Sequence, residues 1–285
     1  MYNRIDILQA IDFRQAPSET TKAVWYSRTV STGEVVINLH EFPTNPAQYN
    51  SLDYNDEVVT VSGNGTVISV PLPPGHFQDV QRVGPWWCGL FGTKIPGAHV
   101  TCQNTANGAT VAFKAPNHHG ARRLVPAGVA DAISLFSHDD QGIDGELFRF
   151  RYSTYSLSGK ELATHVYEFP GYVVVNNIDV VASGDRRVAL FRGLLKPPDW
   201  RPGLPLGGRH DAFALEFDAS GKLLGTIFMA KASLYTLNGS SFPYWSHLPF
   251  SVAIADACAF VAEQRWVSDL AGQHAENRIH VAPLL

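Results

Sequence analysis

Apolar and polar residues alternate along much of this chain with the period of two that marks a half-buried strand. In RHDAFALEFDASGKLLGTIF (209–228), Phe213, Leu215 and Phe217 alternate with Ala214 and Glu216. Ser220-Gly221 then supplies a tight turn, because glycine accepts the positive φ that such a turn needs. Leu223, Leu224, Ile227 and Phe228 carry the return strand. The same hairpin recurs in WYSRTVSTGEVVINLHEFP (25–43) and RYSTYSLSGKELATHVYEFP (151–170), which share Tyr-Ser, a polar-Gly turn, a Glu beside it and a closing Glu-Phe-Pro. A looser copy is VTCQNTANGATVAFKAP (100–116), turning at Asn107-Gly108.

Between these copies lies a second kind of hairpin with nearly continuous apolar strands, the pattern of strands buried on both faces. It covers DEVVTVSGNGTVISVPLP (56–73), NIDVVASGDRRVALFRGLL (177–195) and PFSVAIADACAFVAEQRW (249–266), and VADAISLFSHDD (129–140) begins the same way. A buried hairpin followed by an amphipathic one makes a four-stranded meander, the blade of a β-propeller. The outer turns fall at Gly33, Gly108, Gly159 and Gly221. Their spacing exceeds the roughly 40–50 residues of a blade, so PPGHFQDVQRVGPWW and KPPDWRPGLPLGGR are expected as insertions. The segment 22–43 lacks an inner hairpin, which the last strands of the chain would complete. The reading is an all-β single domain over residues 1–285, a propeller of four to six blades and most simply five, with a paired β-barrel or β-sandwich as the rival architecture. IDILQAIDF (5–13) fits a short helix or a strand.

The motif around Asp211, D-A-F-x-x-x-F-D-x-S-G-x-L, resembles the bacterial β-propeller repeat written roughly D-A-F-V-x-K-L-x-x-S-G-x-L. One copy matches well and the others loosely. The resemblance implies the fold; that family includes binding, extracellular and uncharacterised proteins and implies no particular chemistry.

Composition narrows the partners. The chain has 285 residues, 17% charged, with 24 Gly and 18 Pro to serve many turns. The net charge is −4 and no basic run exceeds Arg122-Arg123, so nucleic acid is not an expected partner. Apolar runs are too short to span a membrane as a helix, and the first residues lack a signal-like apolar core. Cys88, Cys102 and Cys258 are odd in number and form no C-x-x-C. They are expected as three free thiols of a monomeric or weakly associated cytoplasmic protein. The sequons at Asn64 and Asn238 then read as Asn-Gly turns.

No G-x-S-x-G, P-loop, G-x-G-x-x-G or H-E-x-x-H is present. Candidate chemistry therefore rests on histidines, acids and aromatics placed outside the strands. His138-Asp139-Asp140 follow an apolar strand and, with His210, are the expected acid–base group. His210 adjoins Asp211, although adjacent strand residues point to opposite faces. The loop APNHHGARR offers His118 and the pair Arg122-Arg123 for an anionic ligand. Trp86-Trp87 and Tyr244-Trp245, the latter beside His247, offer faces for sugars, apolar rings or cations. Each of these groups has a plainer role as polar turn, exposed loop or core aromatic. The expectation is a small-molecule enzyme of lyase, cyclase or hydrolase type with one site and no organic cofactor. A divalent metal held by histidines is a further possibility. The alternatives are a lectin-like carbohydrate-binding module, whose pockets should recur in each blade, and a protein-interaction propeller.

Overall fold

The computed structural model describes residues 20–29, 34–43, 56–73, 75–91, 98–115, 118–139, 149–195, 210–232, 234–236, 243–245, 247–269 and 272–285. Every regular element among them is a strand. Blade 1 is β1 (Thr20–Thr29), β2 (Val35–Pro43), β3 (Glu57–Val61) and β4 (Val67–Ser69). Blade 2 is β5 (Phe77–Val83), β6 (Trp86–Phe91), β7 (Ala98–Asn104) and β8 (Thr110–Ala115). Blade 3 is β9 (His118–Pro126), β10 (Ala132–Asp139), β11 (Arg149–Ser156) and β12 (Glu161–Glu168). Blade 4 is β13 (Tyr172–Ser183), β14 (Arg186–Leu195), β15 (His210–Asp218) and β16 (Leu223–Ala232). A small ribbon of β17 (Leu234–Thr236) and β18 (Pro243–Trp245) precedes blade 5, formed by β19 (His247–Ala255), β20 (Cys258–Asp269) and β21 (Gly272–Pro283). In each blade, strands neighbour one another in chain order as an antiparallel meander, and the chain is a five-bladed β-propeller. Its contacts divide it into two compact units: residues 1–116 with 130–132 and 156–160, and residues 117–129, 133–155 and 161–285. No helix among the described residues is long and apolar enough to cross a membrane.

The burial pattern follows the hydrophobic pattern. β6 and β14 are buried along most of their length, whereas β8 and β12 alternate or stay exposed. Cores form where successive blades meet. In the first unit, Val36 and Val58 of blade 1 pack with Phe77, Val80 and Trp87 of blade 2. In the second, Phe136, Phe150 and Tyr152 of blade 3 meet Phe191, Phe213 and Phe217 of blade 4. The Phe150 and Phe191 rings lie edge to face with centroids 4.7 Å apart, a favoured aromatic geometry. Val188, Leu190 and Ala214 of blade 4 pack with Val252, Ala259 and Val261 of blade 5.

The D-x-S-G turn has a physical reason. Asp218 Oδ1 accepts hydrogen bonds from Ser220 N (2.9 Å), Ser220 Oγ (2.6 Å) and Lys222 N (2.9 Å). Burial alone would raise the Asp218 pKa; these bonds outweigh it and hold the carboxyl below its ordinary range. Gly221 has φ 94°, and a Cβ there would lie 2.3 Å from the Tyr152 ring, so glycine is required twice over. The Tyr167 hydroxyl donates to the Gly221 carbonyl, and burial pushes its pKa up to about 12. Beneath the blade 3–blade 4 contact lies Arg187, fully buried, whose Nη1 donates to Gly184 O (2.8 Å) and Arg186 O (2.9 Å) and whose Nη2 donates to Pro126 O (2.9 Å). Burial lowers its pKa.

The first strands of blades 1, 2, 4 and 5 share a bulge. Trp25, Gln78, Ile178 and Phe250 are each skipped in the register with the second strand. The next residue in two of these strands is an aspartate that caps its own bulge: Val80 N donates to Asp79 Oδ1 (3.0 Å) and Val180 N to Asp179 Oδ1 (2.9 Å). In the second unit Asp179 also ties its neighbours together. Its Oδ2 accepts from Ser251 Oγ and Val252 N, each at 3.1 Å, and Arg123 Nε lies 3.4 Å from Oδ1. The first strands of blades 3, 4 and 5 are thereby joined.

Several expectations are corrected. The 25–43 hairpin is the inner pair β1–β2, and 56–73 is the outer pair β3–β4, so blade 1 is complete without the last strands of the chain. Among the described residues blade 5 has three strands. PPGHFQDVQRVGPWW is no insertion; it contains β5, the two-residue turn Gly84-Pro85 and the start of β6. The expected insertion at 196–209, the element at 5–13 and the sequon at Asn238 lie outside the described residues. Asn64 does sit in an exposed turn, where its Oδ1 accepts from Thr66 N (3.1 Å). The three-thiol expectation is overturned: Cys88 and Cys102 are register partners on β6 and β7 and are joined by a disulfide, leaving Cys258 free. Their Cα atoms are 4.0 Å apart, near the roughly 4.5 Å of a closely spaced antiparallel pair. Disulfides belong to oxidising compartments, so the cytoplasmic expectation loses the cysteine argument on which it stood.

Candidate functional site

In every blade the first strand begins, the second ends and the third begins at one end. Each predicted histidine stands at such a strand end of its own blade. Within the second unit His118 begins β9, His138-Asp139 end β10, His210 begins β15 and His247 begins β19. The register sets Asp139 opposite His118 and His138 opposite His119. Direct cross-strand partners share a face of the sheet. The side chains of these residues, and those of Arg122, Tyr244 and Trp245, lie outside the described residues, as does Asp140 entirely.

Nearby side chains are described. Tyr172 begins β13, and its hydroxyl donates to Asp211 Oδ2 (3.0 Å). Asp211 is buried, so the aspartate of the repeat signature holds Tyr172. A Cβ at Gly193 would lie 2.5 Å from the Tyr172 ring, which is why a side chain is absent from that position. Arg123 is anchored beside Asp179.

Two placements differ from expectation. APNHHGARR is not a loop from His118 onward but the strand β9. Trp86 and Trp87 belong to β6, directly after the Gly84-Pro85 turn, at the end of blade 2 opposite the one where β7 begins with Ala98-His99. Trp87 is only 5% exposed and part of the core, with the Arg82 guanidinium 5.5 Å from its ring centroid. Gly-Pro before Trp-Trp marked a turn, and the strand resumed after two residues. Tyr244 and Trp245 lie on β18, paired with Tyr235 and Leu234.

A further pair went unread in the sequence. In the first unit, His76 Nδ1 lies 3.3 Å from Asp56 Oδ1. Asp56 Oδ2 accepts from Phe77 N (2.7 Å) and Asn38 Nδ2 (2.8 Å), and Asn38 Nδ2 also reaches Phe77 O (3.0 Å). Asn38 is fully buried and its Oδ1 has no hydrogen-bond partner. His76 is 8% exposed. Asp56 precedes β3 and His76 precedes β5, so this pair occupies the same end of its blades as the histidines above. A carboxylate at Nδ1 orients the imidazole and fixes its tautomer. His76 fell inside the segment read as an insertion, and Asp56 was read as the edge of an apolar strand; only the fold brings them together. Among the described residues, no group of three or more His, Cys, Asp or Glu is arranged to hold a metal ion.

No family model matches the chain, and no curated protein matches it in sequence. Solved structures match in fold. The Pyrococcus horikoshii acylaminoacyl peptidase shares 10% identity at a TM-score of 0.47 over 93% of this chain and 46% of its own, so the chain spans less than half of that protein. The β-propeller domain of the Trilobed protease from Pyrococcus furiosus shares 8% identity at a TM-score of 0.46, covering 94% of this chain and 84% of that one. The GH93 alpha-L-arabinofuranosidase of Fusarium graminearum, solved with arabinobiose, shares 9% identity at a TM-score of 0.42 over 87% and 79%. All these scores lie below 0.5, and the activities in those names belong to those proteins alone.

Proposed function

We propose that the chain, acting as one propeller domain over residues 1–285, is an enzyme that uses His/acid general acid–base chemistry on a small molecule or glycan. The supporting observation is the blade 3 register, which sets Asp139 opposite His118 and His138 opposite His119 at a strand end. Imidazoles beside carboxylates have pKa values near neutrality and exchange protons with substrates of lyase, cyclase or hydrolase type. In this reading His138 and His210 are the acid and base, and Asp139 and Asp140 tune them. Arg122, next to the anchored Arg123, supplies positive charge to an anionic group, and Tyr244, Trp245 and His247 supply ring surface. No organic cofactor is required. A second reading places the chemistry on His76, favoured by the observed Asp56–His76 contact.

The test begins with a panel of nitrophenyl glycosides, nitrophenyl esters and uronate polysaccharides. On any substrate turned over, kcat/KM should follow a bell-shaped pH profile with limbs at about 6 to 7 before environmental shifts. His138→Ala and His210→Ala should each lower kcat by roughly 10²- to 10⁴-fold. Loss in His76→Gln with both of those variants fully active selects the second reading. Binding at several equivalent sugar sites without turnover overturns both.

A further inference from the structure

Blade 2 carries an open groove of about 530 Å³ lined by Phe91, His99, Val100, Thr101, Ala112, Phe113 and Lys114. That volume lies within the roughly 300–1,000 Å³ of small-molecule sites. The register explains how it is built. Phe77, Phe91, His99 and Lys114 are successive partners across all four strands of the blade, running from buried to exposed. Gly89, Thr101 and Ala112 form an adjacent row of small residues. The Phe77 and Phe91 rings pack with centroids 4.8 Å apart and fix the apolar end. Phe91 in turn presses on the backbone at Gly75, where a Cβ would lie 2.1 Å from the ring.

Polar groups in this groove await a partner. His99 Nε2 is shielded from solvent and makes no hydrogen bond, so what His99 offers the groove is its ring. Lys114, directly opposite His99, pairs with no carboxylate among the described residues. Thr101 adds a hydroxyl. A cation and a hydroxyl beside an aromatic wall match one ligand chemistry.

We infer that this groove binds a small carboxylate with an apolar or aromatic body, its carboxylate on Lys114 and the Thr101 hydroxyl and its body on Phe91 and the His99 ring. An ammonium-bearing ligand would meet like charge at Lys114, and a neutral one would leave the Lys114 charge without a counter-charge. None of the residues lining the groove is among the proposed acid–base groups.

The experiment is calorimetric titration of the whole protein with 4-phenylbutyrate, 4-phenylbutanol and 4-phenylbutylamine. The carboxylate should saturate one site with a Kd of about 1 mM or tighter, the alcohol should bind roughly tenfold more weakly, and the amine more weakly still. Lys114→Glu and His99→Gln should each weaken the carboxylate by roughly tenfold while leaving the melting temperature near its starting value. Lys231→Glu, on an exposed lysine of blade 4, should change nothing. Equal binding of alcohol and carboxylate reduces the groove to an apolar patch and overturns the inference, as does failure of the carboxylate to saturate. Unaltered affinity in both Lys114→Glu and His99→Gln also overturns it. His138→Ala should leave this binding intact, so the groove and the acid–base site stand or fall separately.

Discussion

The inner hairpins at residues 77–91 and 177–191 begin from one plan and diverge in what they stabilise. Both have a skipped residue, then an aspartate that caps the bulge, then a two-residue turn opened by a glycine at φ 56°. After the turn, blade 2 places Trp87 where blade 4 places Arg187. Trp87 fills an apolar core in the first unit. Arg187 collects three carbonyl groups in the second, reaching Pro126 of blade 3. Blade 2 then bonds its second and third strands covalently through Cys88 and Cys102, whereas blade 4 relies on packing and on the Tyr152 and Tyr167 contacts at its Gly221 turn. The same backbone device therefore supports two strategies: a covalent link with one open face, and a dense polar and aromatic seam.

The largest expected effect tests the seam. Arg187→Ala should lower unfolding stability in urea by roughly 3–4 kcal/mol, because three carbonyls lose their donor in a buried site and a cavity remains. Arg186→Ala should cost far less, since its partner Glu216 also accepts from Leu285 N (2.7 Å). Equal costs would show that Arg187 is not the organising group of the seam. Next comes the covalent link: Cys88→Ala combined with Cys102→Ala should cost about 3 kcal/mol for a closed loop of this length. Thiol titration of the denatured, unreduced protein should find one thiol and not three. The smallest effect compares outer turns. Gly108→Ala and Gly221→Ala both force alanine into a left-handed backbone, at about 1 kcal/mol. Only Gly221→Ala also meets a ring, so thermal melting should place it a further 1–3 kcal/mol lower, the usual cost of overpacking.

Most of the architecture was readable because the outer hairpins of blades 2, 3 and 4 carry alternating strands around turn glycines at positive φ. Blade 1 was read out of phase because both of its hairpin segments carry a glycine between their apolar runs, and 25–43 ends in the same Glu-Phe-Pro as the segment 151–170. Period-two patterning identifies a strand but not its rank within a blade. The disulfide was invisible for a related reason: a separation of 14 residues says nothing until the register makes Cys88 and Cys102 opposite. The histidines were legible as residue types. Their common position at one end of the blades, and the Asp56–His76 contact, depend on which strand ends the connections bring side by side.

The Cys88–Cys102 bond also changes what a protease could do to this molecule. A single peptide-bond cut anywhere between the two cysteines would leave one covalent molecule, because the bond bridges the break. On a denaturing gel, such a nicked chain would run near full length without reductant and as two fragments with it. Damage to the β6–β7 connection would then leave the register of those two strands tethered, and an invader would have to break a second, chemically different bond before blade 2 came apart.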